Sequence, residues 1–527
     1  MNKSVQPNIK TLIEKHRNTV IRAAVIIILV IAGYLRLGHI SGYMTFLGDE
    51  GRDALIVKRM IVDHAFTLLG PTASVGGFFL GPIYYYFMLP FLWAWKLDPS
   101  GPAVMVALFG IATAYLVYLL GRDLYSRSVG VIAASIYAVS PLVIAYSRSS
   151  WNPNIVPFFS TLLILFLWRA VAHKRLREMF WAGVVLGIGL QLHYLFLFLV
   201  GVTGAWMMLT GTKRTAVRGI LLAVGGLIVG LSPYLAFELR HGFVNTQTVI
   251  RFIGEGKETG FLLQRFINVV SDIPFRVFGR LIYRLPQPEI LQNLTDWTAS
   301  FYRWIVPGAA VASVVLLASF ALRAETKRPR LASLLLLLWF LIPVALFGLY
   351  KKPIYDYYFG IFFAAPFLIS GRVLTLMSTV RYGAVIAGFL WVSLLVFNWQ
   401  GRPFLYPPNN QLANTRRVSL AVLDTTGGTP FNFALITDSN SDHAYRYFFE
   451  IWGRKPVVIE NETNDPDRST LTDQLIVLCE NPECRPLGHS LWEIAGFGRA
   501  EIVGSWDVGF VKIFRLVHYE PGNGENE

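Results

Sequence analysis

Apolar residues fall along this 527-residue chain in runs near 20 long, separated by short polar breaks, from residue 19 to residue 398. A run of that length crosses a bilayer as a helix. Spans are predicted near 19–39, 102–120, 129–146, 155–172, 179–193, 194–210, 219–236, 304–322, 331–350, 358–376 and 383–398, about eleven helices in all. The first run lacks a small-residue cleavage site and more spans follow it, so it reads as a membrane helix, not a cleaved signal. The stretch 82–97 is apolar enough to cross, but counting it would invert every later loop. It is predicted as a juxtamembrane or re-entrant helix, with Tyr and Trp suited to the interface.

Beyond residue 398 the pattern shortens. Phe431–Thr437, Pro456–Glu460, Gln474–Glu480 and Gly509–Val517 read as short buried strands, with an aromatic-rich helix over Ala444–Trp452. The expected fold class is therefore an α-helical polytopic membrane domain, residues 1–398, followed by an extracytoplasmic α/β domain, residues 399–527. Two external loops, 40–101 and 237–303, interrupt the membrane part.

With 54% hydrophobic and 15% charged residues, the composition excludes a soluble enzyme. The net charge of +14 would suit a nucleic-acid partner, but its distribution argues otherwise. Arg17 and Arg22 precede the first span. Arg122 and Arg127, then Lys174, Arg175 and Arg177, then Lys213, Arg214 and Arg218, then Arg323, Lys327, Arg328 and Arg330 occupy alternate loops. By the positive-inside rule these loops are cytoplasmic. The N-terminus is then inside, the C-terminal domain outside the cytoplasmic membrane, and no nucleic acid is implied. Cys479 and Cys484 lack a His neighbour for zinc, and either a disulfide or two free thiols fits their spacing. Asn293-Leu294-Thr295 and Asn461-Glu462-Thr463 match the glycosylation tripeptide, which is common by chance.

Candidate chemistry collects on the external side. Leu47-Gly48-Asp49-Glu50-Gly51-Arg52-Asp53-Ala54-Leu55 carries Asp49, Glu50 and Asp53 just after the first span. In a helix starting near Asp49, residues Asp49, Asp53, Ile56 and Met60 share one face, which places two acids among inward-turned apolar residues. Asp49 and Glu50 could equally serve the helix N-terminus, and one acid could pair with Arg52. Gly81-Pro82-Ile83-Tyr84-Tyr85-Tyr86, Ser147-Arg148-Ser149-Ser150-Trp151-Asn152-Pro153-Asn154, His193, then Glu238, Arg240 and His241, and the segment Tyr350-Lys351-Lys352-Pro353-Ile354-Tyr355-Asp356-Tyr357-Tyr358 complete the external set. Lys351 and Lys352 are either snorkelling lysines or anion ligands. The chain has no G-x-x-x-x-G-K-[ST] and no G-x-G-x-x-G. An outward site would draw its activated substrate from the lipid phase, and a lipid-linked phosphosugar is the obvious kind. Such chemistry needs a carboxylate base, cations for the leaving phosphate, and aromatic surfaces.

The order of one span, an external Asp-Glu segment, a Gly-Pro-x-Tyr-Tyr-Tyr helix and an external Ser-Arg loop resembles the GT-C glycosyltransferases. It is most similar to the protein-mannosyltransferase-like and aminoarabinose-transferase-like group. The resemblance covers about residues 19–400. It implies a polyprenyl-phosphate sugar donor and a glycan, lipid or protein acceptor in a membrane-lipid setting. It also implies catalysis by Asp49 with Glu50 beside it. Arg52, Asp53, Tyr84, Tyr85, Arg148, Asn152, Asn154, His193, Glu238, Arg240, Lys351, Lys352, Asp356 and Tyr357 are the expected substrate-binding set. Relatives often end the second external loop in Asp, whereas this chain has the amides Asn152 and Asn154, weaker ligands for a hard cation. No cofactor is required by the pattern, and a divalent metal is left open. A transporter or flippase of a lipid-linked sugar is the rival reading; it would show inverted repeats and mid-membrane charges, and neither is evident.

Overall fold

The computed structural model describes residues 9–73, 76–256, 258–286, 288–293, 297–438, 440–481 and 483–519. Leu294 and Thr295 of the first glycosylation tripeptide lie outside them.

Helices stand where the apolar runs predict them, because a backbone in lipid must satisfy its own hydrogen bonds. Among the described residues, five are long and apolar enough to cross a membrane: Arg17–Leu37, Ser100–Leu124, Asn152–Ala172, Trp297–Arg323 and Lys327–Phe347. Two further candidates are bent pairs, Lys213–Gly230 with Ser232–Arg240 at 72° and Asp356–Phe362 with Ala364–Met377 at 63°. Arg127–Val139, Glu178–Leu192, Tyr194–Thr210 and Gly383–Trp399 are apolar but shorter than the runs suggest. Ser140-Pro141 breaks the run predicted over 129–146, since proline ends one helix and starts the next. Ile83–Ala94 is a 12-residue helix with Pro90 inside it, too short for a crossing.

By its contacts the chain divides into two units. The first comprises residues 1–40, 67–87 and 103–407; the second comprises 41–66, 88–102 and 408–527. In the first unit, the Glu178–Leu192 and Lys213–Gly230 helices meet along a seam of small residues. A Cβ at Gly183 would lie 1.9 Å from the Ala223 carbonyl oxygen, and one at Gly226 would lie 1.9 Å from that of Phe180. Such seams bring membrane helices into close backbone contact.

The second unit holds a four-stranded sheet of β1 Asn432–Ile436, β2 Gln474–Cys479, β3 Ala500–Val508 and β4 Val511–His518, in the order β1-β2-β4-β3. β1 and β2 are parallel; β4 runs antiparallel to both β2 and β3. Every residue of β2 is buried, and alternate side chains feed two cores. Ile476 and Leu478 join Val418, Val422, Phe433 and Phe449 on one face, while Leu475 and Val477 join Ile459, Ile494 and Leu516 on the other. The segment Pro456–Glu460 forms only a bridge through Val457, and β3 appears where no strand is predicted. Cys479 and Cys484 are joined in a disulfide.

The helix Gly48–Val62, which carries the acids, belongs to this second unit and packs on the helix His443–Ile451. Two glycines permit that approach. A Cβ at Gly51 would fall 2.3 Å from the Ala444 nitrogen, and one at Gly48 would fall 2.0 Å from Ser441 Oγ.

Candidate functional site

The acids separate into distinct environments on one helical turn. Glu50 is buried and turns back to accept the Leu47 backbone N–H at 3.1 Å, which satisfies a donor left open at the helix start. Burial, reinforced by the neighbouring Asp49 and Asp53, pushes its carboxyl up to about 7 against the pull of its backbone hydrogen bonds. Asp53 is fully buried, and its Oδ1 accepts from Arg52 Nε at 2.9 Å and Nη2 at 2.8 Å. Asp49 is half exposed, with Arg52 Nη1 2.8 Å from its Oδ1. The expectation that Asp49 lies on the buried face with Asp53 is corrected: Glu50, Gly51 and Asp53 are buried, Gly51 against Ala444, whereas Asp49 is exposed. Arg52 therefore clasps both aspartates and fixes the orientation of the Asp49 carboxylate.

The surroundings of that turn are polar. Asn440 Oδ1 accepts from Gly48 N at 3.0 Å, while Asn440 Nδ2 and the Tyr445 hydroxyl donate to Glu480 at 2.9 and 2.8 Å. A cavity of about 670 Å³ opens here, lined by Leu47, Gln411, Asn414, Asn440, Tyr445 and Glu480 among others.

In the first unit a second group gathers around Tyr350–Tyr358. Asp356 accepts from Arg276 Nη2 and Arg280 Nε, each at 2.7 Å. Both arginines come from the helix Leu263–Ile282, one turn apart on one face, and neither belongs to the sequence-derived set. The 237–303 stretch reads as a loop until its own 3.6-residue period is followed. Cations at i and i+4 on the predicted external side were the available signal. Tyr357 lies 4.6 Å from Trp151 and 6.1 Å from His193, ring centre to ring centre. His193 Nδ1 accepts the Leu195 N–H at 3.2 Å, so in the neutral ring the proton sits on Nε2.

Several expected ligands have structural work instead. Lys351 Nζ donates to the Gly256 carbonyl at 2.7 Å, and Lys352 pairs with Glu258 at 3.3 Å, so neither stands open. Arg148 is buried and donates to the carbonyls of Leu35 and Gly38, each at 2.6 Å. Glu238 is buried and accepts from the Asn245 and Thr246 backbones at 3.2 and 2.8 Å, which caps the helix Val244–Glu255. Asn245 in turn holds Phe79 through its N–H and C=O, both at 2.7 Å. Tyr84 and Tyr85 are fully buried, Tyr84 beside Ser150 at 2.9 Å, and so offer no open ring face. Asn152 and Asn154 donate to the carbonyls of Leu192 and Ser149 at 2.7 and 2.9 Å. Arg240 is exposed. Most of these buried groups take a backbone partner, because leaving a buried polar group bare costs more.

No group of three or more His, Cys, Asp or Glu side chains that could hold a metal occurs among the described residues.

Residues 100–237 match the family model described as dolichyl-phosphate-mannose-protein mannosyltransferase. The fold is similar to that of ArnT from Cupriavidus metallidurans bound to undecaprenyl phosphate, with a TM-score of 0.60 and 13% identity, covering 95% of this chain and 98% of that one. The apo ArnT structure gives 0.59 at 11% identity over the same shares. The oligosaccharyltransferase of Archaeoglobus fulgidus tethered to an acceptor peptide gives 0.50 at 11% identity, over 86% of this chain and 68% of that chain. No curated protein sequence matches. The chain therefore has the fold of ArnT, the GT-C fold that its sequence resemblance implies.

Proposed function

We propose that this protein transfers a sugar from a polyprenyl-phosphate donor to an acceptor hydroxyl on the outer face of the cytoplasmic membrane. The observation that carries the reading is the half-exposed Asp49 held by Arg52 at the start of the Gly48–Val62 helix, in a chain that shares the fold of ArnT over 95% of its length. The acceptor oxygen attacks the anomeric carbon, and the bond from that carbon to the phosphate oxygen breaks. Asp49 takes the hydroxyl proton, polyprenyl phosphate leaves with the electron pair, and direct displacement inverts the anomeric centre. Glu50 serves the helix start and Asp53 anchors Arg52, so neither is assigned the proton.

An anion is drawn to the first unit by net charge and not by direct ligation from Lys351 and Lys352, which already hold Gly256 and Glu258. Arg265, Arg276, Arg280, Lys351 and Lys352 stand against Glu258, Asp272 and Asp356, five positive charges to three negative. That surplus of two lies on the predicted external side, where the positive-inside rule leaves few cations. It suits a phosphate at the membrane interface, where screening is weaker than in bulk water. Trp151 and Tyr357 supply the aromatic surface beside it.

The test is to incubate the purified protein with a polyprenyl-phosphate sugar and a cell-envelope fraction and to measure free polyprenyl phosphate. Its release, lost in Asp49→Asn, supports the transferase. Passage of the intact lipid-linked sugar across vesicles without release would establish the transporter instead.

A further inference from the structure

The first unit carries a second polar–apolar site that the transfer reaction does not use. A cavity of about 470 Å³ is lined by Arg22, Ile26, Tyr115, Tyr118, Arg122 and Arg127 together with further residues of the first helix. Arg22 lies within the first turns of the span Arg17–Leu37, and Arg122 within the last turn of the span Ser100–Leu124. Arg127 opens the next helix and donates to Asn18. Cations at the ends of two spans stand at headgroup depth, and tyrosines one or two turns further in match the aromatic belt. Tyr115 and Tyr118 stack with ring centres 6.2 Å apart, and the Arg122 guanidinium lies 6.0 Å over Tyr118.

The charge is in excess. Asp123 is shared between Arg122 at 2.8 Å and Arg169 at 3.4 Å, which leaves Arg22 and Arg127 without a carboxylate partner among the described ion pairs. Below this cationic end the first helix offers an apolar track. Arg22, Ile26 and Val30 follow one another at i, i+4 and i+8, with Ile26 61% and Val30 65% exposed. A charge at one end and a line of bare aliphatic surface toward the membrane interior match a phosphodiester headgroup and an acyl chain. A soluble phosphate would leave the track uncovered.

We propose that this cavity binds an anionic phospholipid of the leaflet next to the basic loops, its phosphate on Arg22 and Arg127 and one acyl chain along Ile26 and Val30. Charge complementarity selects the anionic headgroup, and the position at span ends selects a lipid over a soluble anion. Polyprenyl phosphate is a different occupant, because the donor's phosphate is assigned to residues 265–352 on the opposite predicted side.

The test uses the purified full-length chain in detergent–lipid micelles with phosphatidylglycerol that carries a photoreactive acyl chain. Crosslinks should map to peptides covering residues 17–30 and 112–127, and excess unlabelled phosphatidylglycerol should abolish them while phosphatidylcholine does not. Arg22→Gln/Arg127→Gln should lower the yield about tenfold and Arg22→Lys/Arg127→Lys should retain most of it, since an ammonium still supplies a point charge. Crosslinks spread evenly over the spans, equal competition by phosphatidylcholine, or stronger competition by polyprenyl phosphate would overturn the proposal. So would an unchanged yield in the folded glutamine variant. If that variant does not fold, the competition on the wild-type chain decides.

Discussion

At the scale of single residues, Asp49, Glu50 and Asp53 share one turn but differ in what surrounds them, and substitutions should separate them. Asp49→Asn keeps the shape and the Arg52 contact while removing the base, so transfer should fall about 10²–10⁴-fold with the melting temperature unchanged. Near-normal turnover in that variant would move the base elsewhere. Glu50→Gln can still accept the Leu47 N–H, so it should keep most activity and instead change how stability depends on pH. The folded carboxyl titrates near 7 against an ordinary 4.5, chiefly because it is buried. Its protonated form therefore favours the fold fully below about 4.5, and that contribution is lost as the pH rises through 7. Relative to wild type, Glu50→Gln should gain stability between pH 5 and 8, by up to about 3 kcal/mol. Melting curves across that range check it, and parallel curves would refute the buried-acid assignment. The location of the acids was legible in the sequence, because three carboxylates beside a membrane span stand out. Their roles were not, because the buried face is set by a helix nearly four hundred residues away, which hydropathy along one segment does not report.

At the scale of elements, the decisive fit is between the Gly48–Val62 and His443–Ile451 helices. Gly51→Val would drive its side chain into the Ala444 backbone and should loosen the pair. Overpacking of this kind costs about 1–3 kcal/mol, visible as a lower melting temperature and faster proteolysis near residue 62. Glu238→Ala removes the cap of the Val244–Glu255 helix, at a cost of about 0.5–2 kcal/mol. Amide exchange should then quicken over residues 244–247 and at Phe79, which Asn245 holds. The membrane runs were readable because their period and length are imposed by the bilayer. The Leu263–Ile282 helix was not, because its apolar stripe is interrupted by Arg265, Arg276 and Arg280 and falls below a spanning signal. β3 was missed for a related reason: Gly504 interrupts its alternation, and a register shift lies between Ile502 and Gly504.

For the whole molecule, the charge pattern yields a prediction independent of chemistry. In intact cells a cysteine placed at Asn409 should label with an impermeant reagent, and one at Lys213 should not; the reverse would invert the topology and move the candidate site inside. The composition of the second unit has its own consequence, in time. Gly48 and Asn440, joined by a hydrogen bond, are 392 residues apart in the chain. At roughly 5–20 residues per second of synthesis, the acidic helix waits on the order of 20–80 s for the residues that complete its packing. Throughout that interval Gly51 lacks its native neighbours His443 and Ala444. A ribosome stalled just short of residue 440 would therefore carry a nascent chain with its apolar spans made and its acidic helix unfinished. The polar surroundings of Asp49 are thus among the last parts of the molecule to be completed.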